Sequence, residues 1–177
     1  MEMQSQRQLP RPPGEVWDAL NDPDVLRACV PGCESLDEIE DGKFEALVRA
    51  KVGPVKARFR GHVSVVDPDP PNGYVLRFEG QGGAAGFAKG EASVRLSEGE
   101  EGEGCTLTYD ASAQVGGKLA QVGSRLVQGA ARKMADEFFD NLVTHLGGGS
   151  APAPEEGDDQ PAEGEGRGWK FWKKKDG

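Results

Sequence analysis

Residues 118–146, KLAQVGSRLVQGAARKMADEFFDNLVTHL, decide the fold. Apolar side chains recur there at intervals of three or four residues, at Leu119, Val122, Leu126, Ala130, Met134, Phe138 and Leu142. This spacing predicts one helix of about 28 residues, roughly 40 Å long at 1.5 Å per residue. Because a single helix cannot bury such a stripe by itself, the rest of the chain must supply an apolar surface that covers it.

The residues before this helix supply that surface as strands. Residues 55–65 alternate strictly between apolar and polar side chains, which predicts a half-buried strand. The same alternation recurs in residues 44–52, 74–78, 88–96 and 105–115. One polar and one apolar face is typical of an antiparallel sheet that covers a core on one side.

The N-terminal residues predict three short elements. Residues 2–9 form an opening strand, Pro13 begins a helix that runs to Leu20, and Asp22 caps a second helix from Asp24 to about Cys29. The predicted fold class is therefore α+β with a helix-grip architecture. A curved antiparallel sheet of six or seven strands surrounds one long C-terminal helix, and two short helices follow the first strand.

Charge and composition divide the chain into three parts. Residues 1–146 carry the periodic patterns and are long enough to bury a core, so we expect them to be a helix-grip domain for a hydrophobic ligand. Residues 147–166 contain six acids and no base, which predicts a disordered acidic linker. The net charge of −9 argues against nucleic-acid binding, because phosphate neutralisation needs a basic surface.

Residues 167–177 reverse this composition and predict a membrane-binding tail. Basic and aromatic side chains alternate there, and we expect an anionic membrane surface to contact Arg167, Trp169, Lys170, Phe171, Trp172, Lys173, Lys174 and Lys175. The segment is too short to span a bilayer. The alternative is an arm that docks in a groove of a protein partner.

The inner faces of the predicted strands carry small side chains, such as Gly61, Ala92 and Ala111. Two alternatives follow. Either large side chains, namely Phe59, Phe78, Tyr74 and Tyr109, fill the space as solid core, or an apolar cavity between sheet and helix holds a lipid-like ligand. The second alternative predicts a lining of Leu26, Val48, Phe59, Val63, Leu76, Phe78, Leu107, Tyr109, Ala111, Val122, Leu126, Met134 and Phe138.

Candidate catalytic and metal-binding groups are sparse. Cys29 and Cys33 have no second pair of ligands, which favours buried or turn thiols over a zinc site. His62 and His145 are isolated, and no paired carboxylate falls in an apolar stretch. We therefore predict no catalytic residue and no metal. The polar face of residues 51–60 is basic and is interpreted either as a solvated face or as a docking patch for an acidic partner.

Four short stretches together carry a resemblance to a known family. They are Pro13–Leu26 with its Asn21-Asp22-Pro23 break, Cys29-Val30-Pro31-Gly32-Cys33, Val52-Gly53-Pro54-Val55 and the helix opening Val115–Leu126. Residues 1–146 thereby resemble the G subunit of carbon monoxide dehydrogenase, within the START and polyketide-cyclase superfamily of helix-grip proteins.

The resemblance implies a non-catalytic accessory protein of the molybdenum-containing CO dehydrogenase complex. It implies no covalently bound cofactor, a respiratory quinone as the carried hydrophobic small molecule, and a link between the enzyme and the membrane. The implied location is cytoplasmic, at the inner face of the cytoplasmic membrane. Two alternatives remain open, a cyclase- or hydrolase-type enzyme of the same superfamily and a ligand-free assembly or tethering factor. An enzyme needs a polar side chain in the cavity, for which Tyr74, Tyr109 and Cys105 are the inner-face candidates.

Overall fold

A computed structural model describes residues 1–99 and 102–147. Its centre is a curved, seven-stranded antiparallel sheet in the order β1-β7-β6-β5-β4-β3-β2. The strands are β1 (Glu2–Leu9), β2 (Cys33–Glu40), β3 (Lys43–Val52), β4 (Val55–Asp69), β5 (Gly73–Gln81), β6 (Phe87–Glu98) and β7 (Cys105–Gly116). Strands β2 to β7 follow one another as hairpins, and β1 closes the order by pairing with β7.

Two short helices, α1 (Pro13–Leu20) and α2 (Pro23–Cys29), follow β1, as the sequence predicts. Pro13 occupies the first turn of α1, where its missing N–H leaves no hydrogen bond unmade. Asp22 caps α2 by accepting a hydrogen bond of 2.9 Å from the backbone N–H of Asp24. The predicted fold class is therefore confirmed, with seven as the number of strands.

The predicted long C-terminal helix is confirmed, but with 22 residues it is shorter than its apolar stripe indicates. The segment forms a short helix α3 (Lys118–Gln121) and then the main helix α4 (Ser124–His145). Gly123 separates them with a φ of +99°, a backbone conformation that is left-handed and open to glycine at little cost. The helix that covers the sheet therefore begins five residues later than its apolar stripe suggests.

Side-chain contacts join helix α4 to strand β1 on one side and to helix α2 on the other. On the β1 side, the side-chain amide of Gln128 donates to the backbone oxygen of Glu2 at 3.1 Å, and Arg7 forms an ion pair with Asp136. On the α2 side, the side-chain amide of Asn141 donates to the backbone oxygen of Cys29 at 2.9 Å. These contacts hold the helix across the inner face of the sheet.

The compact unit that contains the sheet and the cavities runs from Met1 to Leu142. A second unit, Val143–Gly177, begins in the last turn of α4, and only its residues 143–147 are described. The predicted acidic linker beyond residue 147 and the predicted membrane-binding tail at 167–177 lie outside the described residues, and both stay predictions.

Candidate ligand-binding site

Two apolar cavities lie between the inner face of the sheet and α4. Their volumes are about 320 and 390 Å³, within the range of about 300–1,000 Å³ that small-molecule sites occupy. Ala46, Val63 and Ala111 belong to the walls of both cavities. The two spaces are therefore neighbours that share one stretch of wall.

The larger cavity owes its width to small residues on both sides. Gly61, Gly80 and Ala88 belong to its wall on the sheet, and Ala130 and Ala131 belong to its wall on α4. Small side chains on facing surfaces cannot close the gap between a sheet and a helix, which interdigitated large side chains would fill. The cavity is thus a direct result of sequence.

Phe78 forms one wall of the larger cavity, and a glycine on the neighbouring strand makes room for it. A Cβ atom on Gly90 would lie 3.0 Å from Cζ of Phe78 and 2.0 Å from the backbone oxygen of Ser112. Phe78 pairs with Gly90 in the register of β5 and β6. Any other residue at position 90 would displace the ring or the β7 backbone.

The smaller cavity has an aromatic wall on α4. Phe139 stacks on Tyr109 with ring centroids 5.7 Å apart, and Phe138 meets Phe139 edge-on at 5.1 Å. The guanidinium carbon of Arg7 lies 5.2 Å from the centroid of Phe139, within the distance of a cation–π contact. These contacts fix the rings against the cavity and leave its lining almost entirely apolar.

Tyr74 is the more deeply buried of the two tyrosines that line the smaller cavity. It is only 6% exposed, and Trp17 meets its ring edge-on at 5.2 Å. Within the described residues, its hydroxyl makes no hydrogen bond. Burial raises the pKa of the Tyr74 phenol far above its ordinary value, so the group stays protonated. A buried O–H without an acceptor is a donor available to a ligand.

Eleven of the thirteen predicted lining residues lie at these cavities. Leu26, Leu76, Leu107, Tyr109 and Phe138 belong to the smaller cavity. Val48, Phe59, Phe78 and Met134 belong to the larger one, and Val63 and Ala111 to both. Whether a ligand contacts them stays a prediction.

Val122 and Leu126 do not line either cavity, so their prediction needs correction. Val122 packs against the core cluster of Val52, Leu119 and Val127, and Leu126 is 47% exposed. The cause is the break at Gly123. Because α4 starts after it, Val127 takes the inward position that an unbroken helix would give to Leu126.

Several lining residues escape prediction from the sequence. Met3 reaches the larger cavity from β1, and Met1 reaches it from the position just before that strand. Met3 pairs with Ala111, an inward residue of β7, so the register of β1 determines its direction. The alternation of β1 is weak because Ser5 and Arg7 share its inward face, and no local pattern identifies that register.

The three cysteines are free thiols. Burial raises the pKa of Cys29 and of Cys105, and in Cys105 a backbone hydrogen bond at Ser97 offsets part of this effect. Burial also raises the pKa of Cys33, against smaller lowering effects from Arg27 and the backbone of Ser35. Thiols with raised pKa values are weak nucleophiles. Among residues 1–99 and 102–147, no three metal-ligating side chains cluster.

The sequence profile of the carbon monoxide dehydrogenase G subunit, CoxG, matches residues 6–147, which include every residue of the two cavities except Met1 and Met3. The chain belongs to the CoxG family. Among curated proteins, no significant match is found.

Solved structures related to this CoxG family member share its fold. A conserved protein from Geobacillus kaustophilus is 33% identical with a TM-score of 0.78, over 83% of this chain and 95% of that one. A protein from Thermus thermophilus is 19% identical with a TM-score of 0.62, over 85% of this chain and 100% of that one. An uncharacterised protein from Rhizobium leguminosarum is also 19% identical, with a TM-score of 0.61 and 83% and 94% coverage. The last two show the fold alone.

Proposed function

We propose that this CoxG family member is a non-catalytic accessory protein of CO dehydrogenase that carries a respiratory quinone and links the enzyme to the cytoplasmic membrane. The observation that carries the proposal is the pair of apolar cavities with one buried, unpartnered phenol in the wall. The family match supports the partnership with CO dehydrogenase.

The chemistry of the smaller cavity suits a quinone headgroup. A quinone is a flat, apolar ring with two carbonyl oxygens, which accept hydrogen bonds. Tyr74 offers a protonated O–H, and the ring pair Tyr109 and Phe139 offers a flat face. The apolar wall of the larger cavity suits an isoprenoid tail, which needs burial and no polar partner. The quinone is cargo in this proposal and not a resident cofactor.

The three polar inner-face residues support a binding role over an enzymatic one, and of these only Tyr74 and Tyr109 line a cavity. Tyr74 and Cys105 both have raised pKa values, so neither supplies an anionic nucleophile or a base near neutral pH. Tyr109 stacks on Phe139 in the aromatic wall. This arrangement holds a molecule in place and provides no acid and base pair.

The decisive experiment is native mass spectrometry of the purified full chain, followed by organic extraction and identification of the bound molecule. We expect a quinone at up to one molecule per chain. A second preparation of the Tyr74→Phe variant should retain less quinone, since the variant lacks the donor. An empty parent protein that also binds no added quinone would contradict the carrier function and favour a ligand-free assembly or tethering factor.

The membrane link is proposed to reside in residues 167–177. Their net charge of +4 gives roughly 4 kcal/mol at about 1 kcal/mol per cation near an anionic leaflet. Aromatic burial adds to this and persists in salt, whereas the electrostatic part weakens. No helix among the described residues has the length and hydropathy to cross a bilayer.

Co-sedimentation with anionic vesicles tests this link. We expect the full chain to bind, a 1–166 truncation to bind far less, and a Trp169→Ala/Trp172→Ala variant to bind less at high salt. Equal binding by the full chain and the truncation would contradict the anchor. If substitution of the tail lysines abolished vesicle binding and substitution of the tryptophans did not, the tail would act as a purely electrostatic arm.

A further inference from the structure

Basic residues are concentrated in two segments of this acidic chain. Residues 46–66 contain five lysines and arginines and no acidic residue, and residues 111–135 contain four and again no acidic residue. In a chain with a net charge of −9, such separation creates a local positive field.

The two segments meet at one end of the fold. The first forms the turn between β3 and β4, where Lys51 and Lys56 pair across the hairpin. The second forms the junction of α3 and α4. A Cβ on Gly53 at the hairpin turn would lie 3.1 Å from Cδ1 of Leu126, so the turn and the start of α4 are in close proximity. We call Lys51, Lys56, Lys118 and Arg125, together with Leu126, the basic end.

The cations of the basic end lack internal partners. Glu34 pairs with Arg49 and Arg58 at 3.5 and 3.3 Å, farther from the turn. Among the described residues, Lys51, Lys56, Lys118 and Arg125 form no ion pair. All four are exposed. Like charges directly opposite each other across a sheet are destabilising, as at Lys51 and Lys56. An external anion would offset this repulsion.

The centre of the basic end is apolar. Leu126 is 47% exposed, and Pro54 at the adjacent turn is exposed as well. The wall of the larger cavity begins one residue from this surface. Val52, Leu119 and Val127 line the cavity, and each is next in the chain to a residue of this surface, namely Gly53, Lys118 and Leu126 respectively. An exposed apolar side chain beside a turn that is flanked by lysines matches the interface of a bilayer, where acyl chains lie below anionic phosphates.

We propose that the basic end docks the folded domain on an anionic phospholipid bilayer and thereby brings the wall of the larger cavity to the membrane. The role in ligand transfer rests on the proposed carrier function, whereas the docking itself does not. Lipid is favoured over an acidic protein because the exposed Leu126 follows Arg125, lies close to the hairpin turn and adjoins the cavity wall. None of these residues belongs to the tail segment 167–177.

Lysine footprinting of the full chain tests the docking without altering the protein. The chain is acetylated with and without vesicles of phosphatidylglycerol and phosphatidylcholine, and modification at each lysine is read by mass spectrometry. We expect acetylation of Lys51, Lys56 and Lys118 to slow severalfold at a saturating concentration of vesicles, because the bound surface is shielded from the reagent. Lys43 and Lys89 should change little, and pure phosphatidylcholine should protect none of these lysines.

A pair of matched variants checks the footprint. We expect Lys51→Gln/Lys56→Gln in the full chain to weaken vesicle binding by about tenfold or more, at ~1 kcal/mol per lost cation. Lys43→Gln/Lys89→Gln removes the same charge elsewhere on the sheet and should leave binding within about twofold, because those sites do not face lipid.

Three outcomes would overturn the proposal. One is protection of the tail lysines by vesicles without protection of Lys51, Lys56 and Lys118. Another is equal loss of binding in the two variants. The third is protection of the basic end by polyglutamate but not by vesicles, which would assign it to an acidic protein. Quinone extraction is a separate readout, so a protein that shows the footprint and carries no quinone would retain this surface and lose the carrier function.

Discussion

Replacing Tyr74 by Phe removes one buried oxygen from a residue that lines the smaller cavity, and it leaves the ring and its edge-on contact with Trp17 in place. The variant therefore isolates the hydroxyl. Because that hydroxyl is buried and makes no hydrogen bond within the described residues, we expect opposite effects on the ligand-free and the ligand-bound protein.

The ligand-free protein should become more stable. A buried polar group without a partner costs about 1–3 kcal/mol, and its removal recovers part of this. A gain of about 1 kcal/mol corresponds to a rise in Tm of roughly 2–4 °C for a domain of this size. Quinone affinity should fall for two reasons: the variant loses a hydrogen bond to the carbonyl, worth about 0.5–1.5 kcal/mol, and it loses the gain of about 1 kcal/mol that binding gives the parent by satisfying its buried donor. The combined loss of about 1.5–2.5 kcal/mol is roughly 10–70-fold in Kd.

The assay is thermal and urea unfolding of both proteins with and without a soluble quinone analogue, together with titration by fluorescence quenching. Tyr109→Phe is the matched control, because Tyr109 lines the same cavity but is only half-buried. A lower Tm in Tyr74→Phe would show that the hydroxyl has a partner in the folded protein. Unchanged Kd with a higher Tm would show that the phenol is unpaired but does not contact the ligand.

Three further changes have clear expected outcomes. Ala111→Trp should abolish quinone binding and leave a near-native circular dichroism spectrum, because the cavities can absorb the added volume. The control Ser93→Trp, on the exposed face, should bind quinone normally. Unfolding by Ala111→Trp would indicate that the site is solid core. Gly123→Ala should lower the free energy of unfolding by about 1–2 kcal/mol, because the glycine has a positive φ. Gly129→Ala within α4 should raise it by about 0.5–1 kcal/mol. Urea unfolding of both variants separates backbone strain from helix propensity. Above pH 10 the unfolded chain releases the Tyr74 proton while the folded chain retains it, so stability should fall with rising pH, and the fall should be smaller in Tyr74→Phe; parallel pH profiles would contradict this.

The hydrophobic periodicity of each segment and the turn-forming residues between segments predict most of the fold. These local patterns fail where contacts between distant parts of the chain determine the structure. Strand β2 escapes prediction, because half of Cys33–Glu40 is acidic and only Leu36 of it is buried. It is an edge strand whose pairing with β3 makes it a strand. The stripe of residues 119–142 shows helical spacing, but periodicity cannot detect a single left-handed residue, and Gly123 changes which side chains face inward.

The candidate site is predictable to the extent that it depends on alternation. Val63, Leu76, Phe78 and Leu107 point inward because their strands have a strict period of two. Tyr74 follows the same rule, but the sequence cannot show that its hydroxyl lacks a partner, since that depends on which groups surround it in space. The register of β1 is likewise set by its pairing with β7, far along the chain.

The energetics of the empty space favour a ligand over a packing fault. The walls of the larger cavity face each other across about 390 Å³ without touching, so their apolar surface loses the contacts and the burial that a packed core would supply. Larger aliphatic side chains at Ala92, Ala111 and Ala130 would fill the gap without changing any backbone pattern. A bound apolar molecule restores the lost contacts, and its burial in turn supplies the affinity that a carrier needs.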